Sequence, residues 1–150
     1  MSTEDTTLRI ERTYDAPADR VFDAWTSPEV MRRWWQAERD WETASAEVDL
    51  RVGGAVRVVM RDPGRDVEIG GGGLYTEIER PRRLSFTWLW DGDTRRTLIE
   101  IDFEEHDGAT TVLFVHRGLW DEEAVRAHRH GWSTILDNLG RTLGAAQDDA

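Results

Sequence analysis

Apolar and polar residues alternate at the start of the chain. Over residues 8–14, Leu8, Ile10 and Tyr14 fall on one face and Arg9, Glu11 and Thr13 on the other, which predicts a half-buried strand. Asp15 is a favourable N-cap and Pro17 suits a first helical turn, so a short helix is expected next. Ser27, followed by Pro28, predicts the start of a second short helix by the same chemistry.

Beyond Trp41 the apolar residues recur at every second position, which is typical of strands. Turn signals such as Gly53-Gly54 and Asp91-Gly92 separate the runs, and tight turns of this kind join antiparallel neighbours. The predicted strands lie over residues 48–52, 56–60, 67–79, 84–90, 97–103 and 110–116. Four consecutive glycines at residues 70–73 predict a bulge or a sharp bend inside the third of these strands.

A long amphipathic helix is predicted over residues 121–145. Its first turn is acidic, which suits the helix dipole. Its apolar stripe consists of Trp132, Ile135, Leu136, Leu139 and Leu143. The helix and the sheet must bury their apolar faces on each other, and a strongly bent sheet wrapped around the helix can leave a cavity between them.

Length and charge bound the possible functions. The 150 residues suit one domain, expected over residues 8–146, with a disordered N-terminus (1–7) and an acidic tail (147–150). A net charge of −11 argues against nucleic acid or an anionic membrane as the partner. All 19 basic residues are arginines and cysteine is absent, which excludes Schiff-base and thiol chemistry. We expect a cytoplasmic protein without a cofactor or a metal.

Eight short motifs occur in an order that resembles a known family. They are Tyr14-Asp15-Ala16-Pro17 with Val21-Phe22 and Trp25-Thr26, Trp34-Trp35, Val52-Gly53-Gly54, Leu74-Tyr75 with Glu77-Ile78, Arg83-Leu84-Ser85-Phe86-Thr87-Trp88, Phe103-Glu104-Glu105, His116-Arg117-Gly118 and Gly131-Trp132. Over residues 8–144 the chain resembles the START-like SRPBCC superfamily, and within it the domain named after the activator of heat-shock-protein ATPase (AHSA-type).

The resemblance implies an α+β helix-grip fold, in which a curved antiparallel sheet grips the C-terminal helix and two small helices follow strand 1. It also implies an internal pocket for a hydrophobic small molecule. The superfamily contains lipid carriers, hormone receptors, cyclases and co-chaperone domains, so the fold does not determine the function. A role in the stress response with a chaperone partner is one implication, weakened because the chain lacks the co-chaperone's second domain.

Aromatic residues and a few polar groups are the candidate ligand-binding set, because small-molecule pockets are lined in this way. Core packing is the alternative for each tryptophan. Trp34 and Trp35 lie about 100° apart on a helix, so both are not expected to point equally into one core. The candidates are Trp34, Trp35, Met60, Tyr75, Glu77, Trp88, Trp90, His116, His128 and Trp132.

His116 shares a strand face with Phe114, so its imidazole either faces a ligand or is a structural histidine bonded at the strand end. Tyr75 and Glu77 are two residues apart on one predicted strand and so share a face. Either both face inward as polar anchors, or both face water. If these groups converge in a pocket, an enzyme of the cyclase, dehydratase or hydrolase type is possible, with His116 or His128 as acid/base. No assembled catalytic motif is present.

The remaining signals concern the surface. Glu100, Asp102 and Glu104 share a strand face, and such a row of like charges is expected on the solvent side of the sheet. Leu113 and Val115 make the last strand apolar on its second face as well. That face predicts strong sheet curvature or a protein contact, such as a homodimer or a partner of an interaction module.

Overall fold

The computed structural model describes residues 6–148, with side chains through residue 144. Seven antiparallel strands form one sheet in the order β1-β7-β6-β5-β4-β3-β2. Their bounds are Leu8–Tyr14 (β1), Glu42–Val48 (β2), Ala55–Asp62 (β3), Val67–Glu79 (β4), Arg83–Trp90 (β5), Thr97–His106 (β6) and Ala109–Arg117 (β7).

Two short helices, α1 (Ala18–Thr26) and α2 (Pro28–Trp34), connect the two edge strands β1 and β2. The long helix α3 (Glu122–Asp148) follows β7. The sheet curls into a half-barrel around α3, which confirms the predicted helix-grip fold. Tyr14 Oη donates a hydrogen bond to Leu136 O at 2.9 Å, and so ties α3 to β1.

The inner face of the sheet supplies most of the core. Alternate residues of β5, β6 and β7 are buried, as the period of two predicts, and their neighbours are partly or fully exposed except for the buried Ser85 and Val115. These strands pack against the predicted stripe of α3, whose members are all at most 5% exposed. The inward residues include Leu84, Phe86, Trp88, Ile99, Ile101, Phe103, Val112 and Phe114.

The first turns of α1 and α3 are each capped by a carboxylate, but the carboxylates come from different parts of the chain. Helix α1 begins at Ala18 with Pro17 as its N-cap, so Asp15 does not cap it. Instead Ala18 N donates to Glu105 Oε1 at 2.7 Å, a contact from the β6–β7 hairpin. In α3 the nearby Asp121 Oδ1 accepts from Ala124 N at 2.7 Å. That helix reaches Asp148, past its predicted end at residue 145, and residues 1–5 and 149–150 lie outside the described part.

Two strand predictions need correction. Strand β2 ends at Val48, so Leu50 and Val52 belong to the following loop. The glycine run does not form a bulge: residues 70–73 pair in regular register with residues 56–59 of β3. The register shift lies instead between Tyr75 and Glu77, against β5.

Charged residues cover the outer face of the sheet, as the row of acids predicts. Arg83 bonds Glu77 at 2.8 Å, Asp102 at 3.0 Å and Glu100 at 2.6 Å. On the second apolar face of β7, Leu113 is 38% exposed but Val115 is buried at 5%, so the two side chains do not form one exposed apolar patch. Across the described residues, no helix is long and apolar enough to span a membrane.

Candidate functional site

An aromatic cleft lies where α3 faces the end of β5 and the segment after α2. Its volume is about 190 Å³. Four candidates from the sequence line it, namely Trp35, Trp90, His128 and Trp132, together with Ala37, Ala127, Gly131 and Ile135. We call this the aromatic cleft. None of its eight lining side chains carries a permanent charge.

Helical spacing positions the α3 side of the cleft. Ala127, Gly131 and Ile135 are four residues apart, and His128 and Trp132 form the adjacent row, so all five lie on one face. A Cβ on Gly131 would lie 3.3 Å from the Cβ of Ala37, so glycine lets α3 approach the segment after α2 closely.

Trp35 reaches the cleft because it is no longer helical. It is the C-cap of α2, with φ −85° and ψ 71°. The 100° spacing expected for Trp34 and Trp35 therefore does not apply, and both indoles are buried. Trp34 Nε1 donates to Ala24 O at 3.1 Å in the core, whereas the ring of Trp35 forms a wall of the cleft.

Each histidine in this region accepts a hydrogen bond from an indole. Trp90 Nε1 donates to His128 Nε2 at 3.0 Å, and His128 Nδ1 donates to Ala124 O at 2.7 Å. This pattern requires a neutral imidazole with its proton on Nδ1. His128 is therefore held between β5 and its own helix, with neither nitrogen free.

His116 is fully buried behind the cleft and has the opposite tautomer. Trp132 Nε1 donates to His116 Nδ1 at 3.1 Å. Thr97 Oγ1 donates to Trp88 O at 3.1 Å, so at 2.7 Å from His116 Nε2 it accepts the proton of that nitrogen. The two imidazoles pack perpendicular to each other, with ring centroids 5.2 Å apart.

Burial keeps both imidazoles neutral. Desolvation, and to a smaller extent the positive charge of a protonated His128, lowers the pKa of His116 from 6.5 to about 3. Desolvation also lowers the pKa of His128, although its bond to Ala124 O opposes the shift. Protonating either ring would place an N–H against an indole N–H donor. The histidines converge, as the enzyme interpretation requires, but they lack a free nitrogen for proton transfer.

Packed aromatic rings fill most of the space between the sheet and α3. Trp35 stacks on Trp88 with centroids 5.8 Å apart and meets Trp132 edge-on at 5.4 Å. Trp25 contacts Trp35 from the other side at 5.5 Å. The cleft is therefore an opening at one end of a filled aromatic core, rather than a large hollow along the helix.

The other predicted site residues lie away from the cleft wall. Trp88 and His116 lie directly behind it, and Trp34, Met60 and Tyr75 belong to the core. Glu77 is exposed and bonded to Arg83, because the register shift turns it away from the inward Tyr75. Sequence reasoning missed Ala37, Ala127, Gly131 and Ile135 as wall residues. The four-residue spacing on α3 could have indicated the last three.

A second depression lies on the outer face of the sheet. It has a volume of about 510 Å³ and lies beside Gly72 and Gly73 of β4. Val52 and Leu74 border it and are 63% and 51% exposed. Apart from Arg96 it presents few functional groups, so the aromatic cleft is the candidate site.

Residues 15–144 match the family model described as Activator of Hsp90 ATPase homolog 1-like protein. The chain belongs to this family. The matched range contains the helices α1 and α2, the strands β2 to β7 and most of α3. It therefore includes the whole wall of the aromatic cleft. Family and fold fit a small ligand-binding domain.

Solved structures share the fold. Protein CV1439 from Chromobacterium violaceum is 24% identical with a TM-score of 0.84, and the alignment covers 91% of this chain and 96% of that one. The AHSA1 protein from Silicibacter pomeroyi is 24% identical with a TM-score of 0.82, covering 93% and 99%. An AHSA1-like protein from Aeromonas hydrophila is 28% identical with a TM-score of 0.76, covering 93% and 94%. No curated protein matches the sequence.

Proposed function

We propose that the protein binds a small apolar or aromatic molecule in the aromatic cleft. The observation that supports this most is the composition of the wall. Three indoles and one neutral imidazole face four positions that carry only aliphatic groups or hydrogen. Ligand pockets are concave and mostly apolar, with few polar groups, and this wall has that character.

The size of the cleft limits the ligand. A buried apolar cavity of roughly 150 Å³ accepts benzene, so about 190 Å³ suits one aromatic ring or two fused rings. Burial of apolar area contributes roughly 25 cal/mol per Å² to the free energy of binding, before the cost of the ligand's lost translational and rotational freedom is subtracted. For so small a ligand we expect a dissociation constant between about 10 μM and 1 mM.

A binding role fits the histidines better than catalysis does. General acid/base work near neutral pH needs an imidazole that can exchange a proton with the substrate. Both nitrogens of His116 and of His128 are occupied by protein hydrogen bonds, and burial lowers both pKa values. The arrangement of His116 and His128 therefore supports the binding of a ligand rather than its chemical conversion.

The test is a titration with indane, an uncharged bicyclic hydrocarbon, followed by NMR of the indole N–H resonances. We expect saturable shifts of the Trp35, Trp90 and Trp132 signals. Ala127→Phe places a ring into the cleft from its exposed edge and should block binding. Arg126→Phe adds the same ring at an exposed position beside it and should bind indane normally. Unchanged binding in Ala127→Phe would contradict the proposal.

A further inference from the structure

The second depression, on the outer face of the sheet, has a different chemical character from the aromatic cleft and shares no lining residue with it. We call it the outer groove, and it is bordered by Val52, Leu74, Thr87, Leu89 and Arg96. We propose that the outer groove binds an amphipathic carboxylate, whose aliphatic part contacts the three aliphatic side chains while its carboxylate pairs with Arg96. This second site does not depend on the function proposed for the aromatic cleft.

The aliphatic side chains at the outer groove are exposed to an unusual degree. Val52 and Leu74 are 63% and 51% exposed, the two highest values among the large hydrophobic residues that the structure describes. Both border the same groove, beside the half-buried Leu89 of β5, rather than lying scattered over the surface. Adjoining exposed apolar side chains on a soluble protein are typical of a surface that binds something.

Hydrogen bonds hold the loop that carries Val52 against β4. Gly53 N donates to Tyr75 O, and Tyr75 N donates to Gly54 O, both at 2.9 Å. Gly53 has a φ of 87°, which glycine adopts without strain. The apolar border of the groove is therefore in place before a ligand binds, which reduces the entropy that binding costs.

The outer groove also offers a hydroxyl donor. The pairing of β4 with β5 is interrupted between Gly72 and Tyr75. In this interval Leu74 N donates to Thr87 Oγ1 at 3.0 Å. The Thr87 hydroxyl accepts that bond, and its own proton takes part in no hydrogen bond with the residues that the structure describes. It can therefore donate to an oxygen of a ligand in the groove.

Arg96 is the charged residue of the outer groove and has no ion pair within the described part of the chain. The preceding Arg95 binds Asp93 at 2.7 Å, and Arg57 of β3 binds Asp91 at 2.7 Å, so these nearby acids are already paired. No aspartate or glutamate borders the groove. A carboxylate would thus gain an ion pair there, whereas a cation would meet only a like charge.

The net charge of the chain opposes this preference only at long range. The value is −11, which repels anions in general. At physiological salt, however, the interaction between exposed charges is largely screened beyond about 8 Å. The contact with Arg96 is shorter than that, so the local cation decides which ligand charge the groove accepts.

Three probes with one aliphatic chain test the charge preference: octanoate, 1-octanol and octylamine, which is a cation at pH 7. The readout is an NMR titration that follows the methyl resonances of Leu74 and Leu89. We expect saturable shifts, with octanoate bound about two- to fivefold tighter than 1-octanol, as an exposed ion pair allows. We expect octylamine to bind weakest. The Ala127→Phe protein, in which the aromatic cleft is blocked, should give the same result.

Matched variants assign the two parts of the ligand. Arg96→Gln should bind octanoate no tighter than 1-octanol. Arg82→Gln removes the same charge at an exposed position outside the groove and should keep the preference. Leu74→Thr should weaken octanoate and 1-octanol alike, whereas Val67→Thr, also at an exposed position of β4 but outside the groove, should weaken neither.

Several results would overturn the proposal. They are the absence of saturable shifts at Leu74 and Leu89 with octanoate, equal binding of octanoate and 1-octanol, and a preference that persists in Arg96→Gln. Loss of octanoate binding in Ala127→Phe would assign the probe to the aromatic cleft instead. Shifts of the same methyl signals with protein concentration, in the absence of a probe, would show that a second copy of the chain occupies the groove. None of these results decides the indane titration, because the two sites are separate.

Discussion

His116 should make the stability of the protein fall between pH 7 and pH 5. Its pKa is about 3 in the folded protein and 6.5 as an ordinary imidazole, so the unfolded chain binds the proton more tightly. The stabilisation from the neutral ring is present above pH 6.5 and is lost as the pH falls toward 3. The loss is about 1.4 kcal/mol per pH unit below 6.5, and hence about 2 kcal/mol at pH 5.

Urea unfolding at the two pH values measures this loss. Carboxylates also titrate, so the quantity of interest is a difference between proteins. His116→Gln should lose about 2 kcal/mol less than the wild-type protein between pH 7 and pH 5. Val112→Ala, a buried truncation on the same strand, is destabilised but should keep the wild-type pH dependence.

Equal pH dependence in His116→Gln and the wild-type protein would refute the reasoning. If the variant does not fold, imidazole NMR of the wild-type protein provides the second test. The His116 ring should stay neutral at pH 5 with its proton on Nε2, as its bonds to Trp132 and Thr97 require. A protonated ring at pH 5 would be the contrary result.

Three further predictions concern stability, each measured by urea unfolding. Gly71→Ala should destabilise by about 2 kcal/mol, because the new Cβ would lie 2.7 Å from a β5 indole; Gly144→Ala, with nothing within 4 Å, should be neutral or stabilising. Similar effects at both positions would contradict this steric argument. Arg83→Met should cost about 1 kcal/mol by leaving three carboxylates without their shared cation, and less in 1 M salt; a salt-independent loss would argue against it. Glu105→Ala should cost about 1 kcal/mol because α1 loses its N-terminal acceptor, whereas the exposed Glu104→Ala should have little effect. Equal losses would remove the capping role.

The α3 part of the cleft was the most predictable from the sequence. Helical period alone places His128 and Trp132 on the apolar side, and strand alternation places Trp90 on the face of Trp88. Trp35 was less predictable, since its orientation depends on where α2 ends. Glu77 was misplaced because a register shift after Tyr75 reverses which side chains face inward, and such a shift leaves no clear pattern in the residues themselves.

Local periodicity determined the elements, their order and the apolar faces that had to meet, since the spacing of side chains along a helix or a strand is a property of the backbone. The pairing of indole donors with imidazole acceptors was decided by the tertiary structure, because His116 and Trp132 are 16 residues apart and Trp90 and His128 are 38 apart. The volume of the aromatic cleft was also decided by the tertiary structure. It is the small difference between the space that the curled sheet encloses and the volume of the rings that fill it, and that difference depends on how all the rings pack together.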